Sequence, residues 1–125
     1  MYVRTLLIDP QKLPLTVDAW TALESEVWIV KSRLSFPSSV ITNISENSRL
    51  LKYDPVWMMP ATRRASITAQ AFEDVLASAE TLSYCWRPNH ALVFDNWRVL
   101  HARPSECAAG DNSRILERVQ VVVED

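Results

Sequence analysis

Apolar and polar positions follow two rhythms along this chain, and each predicts a kind of element. Residues 2–8, YVRTLLI, are β-branched and apolar enough for a strand, closed by Asp9-Pro10. From Thr16 the rhythm turns helical. Thr16 is a candidate N-cap, Asp18 suits the first turn, and Val17, Trp20 and Leu23 share a face. Residues 26–31, EVWIVK, read as a short strand, and residues 35–48, rich in Ser, Asn and Pro, as an excursion loop. Residues 50–53 predict another strand, ended by Asp54-Pro55. The segment VWMMPATRR has no clear period and reads as core packing in preference to a pocket wall. The strongest helix is predicted over residues 67–79, where Ile67, Ala71, Val75 and Ala79 recur every four positions beside Phe72 and Leu76. Strands are then predicted at residues 82–86, 91–94, 98–101 and 114–123. This order predicts a single domain over residues 1–125 of α+β class, mainly antiparallel sheet with one or two helices.

Composition narrows what such a domain does. The 125 residues are 48% hydrophobic and 22% charged, ordinary for a globular chain, and no apolar run reaches the roughly 18 residues of a membrane span. The formal charge is −2 and Arg63-Arg64 is the only adjacent basic pair, read as a solvated loop or helix start, so no nucleic-acid footprint is indicated. Cys85 and Cys107 lack metal or redox spacing and read as reduced thiols more readily than as a disulfide, which points to a cytoplasmic protein without a membrane partner. A single glycine, Gly110, against seven prolines excludes a glycine-rich phosphate loop, and nucleotide-binding readings end there.

The candidate chemistry gathers at FDNWRVLHAR, residues 94–103, which holds one of only two histidines in the chain. A nucleophilic dyad would pair His101 with Ser105 or Cys107, but nothing like a nucleophile elbow surrounds them. Metal binding needs further donors converging with the imidazole, and His90, eleven residues away, sits on a different predicted element. Spacing alone favours a core histidine.

The run Pro88-Asn89-His90 followed by Phe94-Asp95-Asn96-Trp97-Arg98-Val99-Leu100-His101-Ala102-Arg103 resembles a known motif. It is similar to the closing metal-ligand motif of the iron(II)- and 2-oxoglutarate-dependent dioxygenases, in the branches of taurine dioxygenase and γ-butyrobetaine hydroxylase. In that family a Pro-Gly-Asp turn leads into a strand and then Asp-Asn-(Trp/Arg)-Arg-(Val/Leu)-Leu-His-Gly-Arg. The resemblance implies that His101 is the distal histidine of a facial iron(II) triad. It implies that Arg114, 13 residues on, holds the distal carboxylate of 2-oxoglutarate, for which the planar guanidinium fork is well suited. Arg118 resembles an arginine that meets an anionic substrate, beside the alternative of a surface arginine. Thr5, in RTLLID, resembles a threonine set against 2-oxoglutarate, beside the alternative of an ordinary strand threonine.

Four departures accompany the resemblance. The family's His-x-Asp or His-x-Glu triplet has no counterpart, since the two histidines begin His90-Ala91-Leu92 and His101-Ala102-Arg103. Asn89 and His90 replace the glycine and aspartate of the turn, Ala102 replaces the glycine after the metal histidine, and Gln120 stands where a cage tyrosine would be. The resemblance therefore implies the C-terminal half of a dioxygenase barrel, a partial double-stranded β-helix or jelly-roll-like half barrel, with the missing motif expected before Met1. Three functions follow from it: an oxygenase fragment or subunit acting on a small molecule, a non-catalytic binding module descended from that fold, or a truncated gene product. All three imply a homo-oligomer or a second chain, because a half barrel leaves sheet edges and an apolar face uncovered.

Overall fold

A hydroxyl at each helix start sets where the two helices begin. Thr16 Oγ1 accepts from the Ala19 amide at 3.1 Å and opens helix α1, Val17–Ser25, with Asp18 in its first turn. Thr62 Oγ1 accepts from the Ala65 amide at 3.0 Å and opens helix α2, Arg63–Ala77. The second helix therefore starts four residues before the predicted Ile67. Its first turn carries Arg63 and Arg64, which face the positive end of the helix dipole. Glu26 offsets them: its carboxylate accepts from Thr62 Oγ1 at 2.6 Å and lies 3.4 Å from Arg64 Nη1.

The computed structural model describes residues 4–103 together with 119 and 121. Besides the two helices and a 3-10 turn at Pro10–Lys12, these residues form strands β1 (Arg4–Ile8), β2 (Trp28–Val30), β3 (Phe36–Ser38), β4 (Ile41–Ser45), β5 (Ser48–Leu51), β6 (Met58–Pro60), β7 (Leu82–Cys85) and β8 (Leu100–Ala102). Every pairing among them is antiparallel, in three sheets ordered β7-β1-β8, β3-β2-β6 and β4-β5. The α+β class with two helices holds, and none of these sheets closes into a barrel.

The core gathers Leu13, Leu23, Trp28, Val40, Ile41, Leu51, Met58, Ala65 and Phe72 between the two helices and the β2 and β4 strands. Tyr53 meets Phe72 edge-on, with ring centroids 4.8 Å apart, and donates its hydroxyl to Glu73 Oε1 at 2.6 Å. Burial first, and then the Glu73 carboxylate, hold the Tyr53 hydroxyl well above its ordinary titration range. Trp28 is fully buried although its indole N–H has no partner among the described residues. Such an orphan donor costs on the order of 1–3 kcal/mol, which burial of so large a ring offsets.

Several expectations are corrected by packing. Residues 35–48 are not an excursion loop: they hold β3 and β4, and β4 turns at Glu46 and Asn47 into β5. Ser35, Asn43, Ser45 and Asn47 are exposed and Ser38, Ser39 and Ser48 half-buried, while Val40 and Ile41 are buried and anchor the segment to the core. Along α2 and just beyond it the predicted row divides: Ile67, 62% exposed, and Ala71 face solvent, whereas Val75 and Ala79 pack against the core together with the predicted Phe72 and Leu76, and Ala65 and Thr68 join the buried face. Val17 likewise leaves the predicted α1 face and is exposed, whereas Leu23 is fully buried. Met58 packs inward as expected of its segment, but Val56, Trp57 and Met59 are exposed. Residues 91–94 join no ladder, and the strand expected at 98–101 begins only at Leu100. The strand expected at 114–123 lies outside the described residues, apart from isolated positions 119 and 121.

Candidate functional site

Strand β1 is the centre of the sheet that carries the candidate residues. Its register sets Thr5 opposite Tyr84, and Leu7 opposite both Leu82 and His101. Residues directly opposite in an antiparallel ladder share a face, and residues two apart along a strand do so too. Thr5, Leu7, Leu82, Tyr84 and His101 therefore lie on one face. Ile8 pairs with Leu100 on the other, and both pack against the core. The face bearing Thr5 and His101 is thus opposite the one that Ile8 and Leu100 press on the core, and Leu7 on it is nonetheless buried.

That face is polar and aromatic. Trp86, one residue beyond β7, donates its indole N–H to Thr5 Oγ1 at 2.8 Å. The Tyr84 ring meets Trp86 edge-on at 5.2 Å, and a hydrogen bond of 2.9 Å joins Tyr84 Oη to His90 Nδ1. His90 reaches that position through a tight turn: its amide bonds Arg87 O at 3.3 Å, and Asn89 takes a left-handed φ of 63°. A residue with a Cβ tolerates this region poorly, and asparagine is among the few that adopt it without being glycine. Asn89 is the position that the motif resemblance aligns with a glycine.

The approach to His101 is built by Asp95. Its Oδ1 accepts from the Trp97 amide at 2.9 Å, and its carbonyl accepts from the amides of Arg98 and Val99, each at 3.1 Å. The Arg98 guanidinium lies 3.5 Å from Asp95 Oδ2. Asp-Asn-Trp-Arg is therefore a turn that feeds the short strand β8, with Leu51 N donating to Trp97 O at 3.1 Å to tie it to β5. His101 itself is exposed, with the Phe94 ring 5.2 Å from its own.

Two of the four candidates thus share a face, Thr5 and His101. Arg114 and Arg118 lie outside the described residues, as do Ser105 and Cys107. Tyr84, Trp86 and His90 were not singled out from the sequence as a group, although alternation from Leu82 through Tyr84 to Trp86 carries the signal for the first two. Among the described residues no group of three or more His, Cys, Asp or Glu side chains converges as a metal site. One imidazole does not fit a three-donor iron(II) centre, so the described residues do not by themselves make one.

The hydroxyl of Thr5 keeps a capacity that matters for ligands. Its oxygen accepts from Trp86, which leaves its own O–H available to donate. A carboxylate is the natural acceptor for such a donor. Among the described residues no helix is long and apolar enough to cross a membrane. Compared with known proteins, the chain matches no family model and no curated sequence.

Proposed function

We propose that this chain is an oxygenase-like half-site of the iron(II)/2-oxoglutarate type. It holds a 2-oxo-dicarboxylate through Thr5 and Arg114 and offers His101 to a metal whose other donors come from a second polypeptide. Arg118 meets the substrate on this reading, and the fold is a jelly-roll-like half barrel. The observation that carries it is the common face of Thr5 and His101, on the side of the sheet opposite Ile8 and Leu100. The left-handed Asn89, at the motif's glycine position, supports it independently. The protein's own contribution is binding and orientation: Trp86 fixes the Thr5 oxygen so that its proton points to the ligand. Oxygen chemistry on this chain alone is not part of the reading, because the described residues supply one metal donor.

A non-catalytic carboxylate-binding module is the second reading. It is favoured by the hydrogen-bonded rings of Tyr84, Trp86 and His90, which already occupy the face beside Thr5.

Titration with 2-oxoglutarate, followed by NMR at the Trp86 indole N–H and the Thr5 amide, tests the shared part. The expected result is a saturable shift at both signals, weakened at least about tenfold by Arg114→Ala, as loss of one charge-assisted carboxylate contact implies. No shift up to millimolar ligand would overturn the proposal. Adding iron(II) without oxygen then separates the two readings. A metal-to-ligand charge-transfer band that appears with a second polypeptide and disappears in His101→Ala supports the oxygenase half-site, and carboxylate binding indifferent to His101→Ala supports the module.

A further inference from the structure

The opposite face of the same sheet carries a second grouping that the proposed function does not use. Register sets Arg4 of β1 directly opposite Cys85 of β7. Arg87 lies two residues beyond Cys85, so alternation returns it to the same side. Together with Pro88 these residues line a solvent-open cleft of about 460 Å³.

The charge in this cleft is unbalanced. Among the described residues its lining holds two guanidinium groups and no carboxylate. Among the described arginines, Arg64 lies beside Glu26 and Arg98 beside Asp95, and the others form no ion pair there. Neither Arg4 nor Arg87 forms an ion pair among the described residues. Two like charges on the walls of one cleft repel, and a multiply charged anion between them converts that repulsion into attraction. The cation pair also selects the shape of the anion. A planar carboxylate satisfies one guanidinium fork with its two oxygens, whereas a tetrahedral phosphate has at least three terminal oxygens and can accept from two forks at once. Pro88, with its backbone angle fixed, gives the cleft a rigid wall, and the half-buried thiol of Cys85 forms its floor.

We infer that the Arg4–Arg87 cleft binds a phosphate group, free or as the monoester of a small metabolite, on the side of the sheet opposite Thr5 and His101. The site stands apart from the proposed oxygenase half-site, and its fate does not depend on that reading.

Inorganic phosphate is the first probe, added to the full chain at ionic strength held constant with sodium chloride. Binding is read from the side-chain Nε–H signals of Arg4 and Arg87, and from slowed alkylation of Cys85 in a Cys107→Ser background. The expected result is saturable phosphate binding that protects Cys85 and falls about tenfold in each of Arg4→Ala and Arg87→Ala, the loss of one charge-assisted contact. Arg4→Lys and Arg87→Lys keep the charge without the fork and are expected to bind with intermediate strength. Thr5→Val is expected to leave phosphate binding unchanged while weakening 2-oxoglutarate binding, so the two sites fail separately. A phosphomonoester that binds more tightly than inorganic phosphate identifies the monoester as the ligand. Equal phosphate binding in the arginine variants, equal protection by chloride alone, or tighter binding of succinate than of phosphate would each overturn the assignment.

Discussion

The two sides of the β7-β1-β8 sheet, and the regions they face, differ in almost every physical respect. Toward the helices lie Leu23, Trp28, Ala65 and Phe72, all without measurable exposure, and Ile8 and Leu100 extend that packing to the sheet. Away from the helices lie Thr5, Tyr84 and His101, hydrogen-bonded or ring-packed polar groups, with Leu82 at 69% exposure on the same face. Burial against the helices is concentrated on one side, while Thr5, Tyr84 and His101 gather on the other. Such a division lets the outer face change its residues without unfolding the domain, because side chains that bury little surface contribute little to the folded state. It also leaves apolar side chains uncovered near the site. Val93, 93% exposed, and Trp97, 54% exposed, flank the turn that leads to His101. Strands β7 and β8 each have a second edge with no neighbour among the described residues. Both features are what a partner surface requires.

Substitutions on the two sides of the sheet should differ in what they cost. The largest effect is expected for Phe72→Ala, which removes a fully buried ring from the centre of the core. A loss of about 3–5 kcal/mol in urea unfolding is expected. A loss below about 1 kcal/mol would show that Phe72 does not lie at the centre of the core. Thr62→Ala comes next, since this hydroxyl both caps α2 and donates to Glu26. About 1–2 kcal/mol of lost stability is expected, with Thr62→Ser recovering most of it.

Tyr53→Phe removes the bond to Glu73 and is expected to cost about 1 kcal/mol at neutral pH. Its pH dependence is the sharper measurement. The native state holds the Tyr53 proton more tightly than the unfolded chain does, so the stabilisation is fully present below the ordinary tyrosine value of 10.0. As pH rises above that value the unfolded chain loses this proton first, and stability falls. The parent protein is therefore expected to lose stability above pH 10 more steeply than Tyr53→Phe, as thermal melts in alkaline buffers would register. Parallel profiles would mean that Tyr53 is not held by its surroundings.

The smallest effect is expected at the site itself. His101 is exposed, so His101→Ala should change stability by no more than about 0.5 kcal/mol. A loss of several kcal/mol would make His101 a structural histidine after all, and the separation between the two sides of the sheet would collapse.

What could be read from the sequence was local. The Thr16 cap, the start of α1 and the strands β1, β2 and β7 follow from spacings of two, three and four residues, which the backbone enforces wherever the segment sits. The candidacy of Thr5 and His101 came from the sequence as well, through residue type and motif. The α+β class followed from the order of elements.

What the tertiary structure decided was which of several locally equivalent faces is buried, and what meets across long separations. Ile67 and Phe72 both lie on regular helical rows, and only packing against α1 and the β6 strand selects Phe72 for the core. The β4–β5 hairpin was hidden because a serine-rich composition records polarity, whereas the strand is held by Val40 and Ile41 finding a distant core. The bond from Trp86 to Thr5 joins residues 81 apart, and the pairing of Leu7 with His101 spans nearly the whole described chain. Local propensity acts over a few residues, but a sheet register is chosen by the surface it buries. The chain could therefore name Thr5 and His101 in its sequence, while only burial of Ile8 and Leu100 on the opposite side brings them to one face.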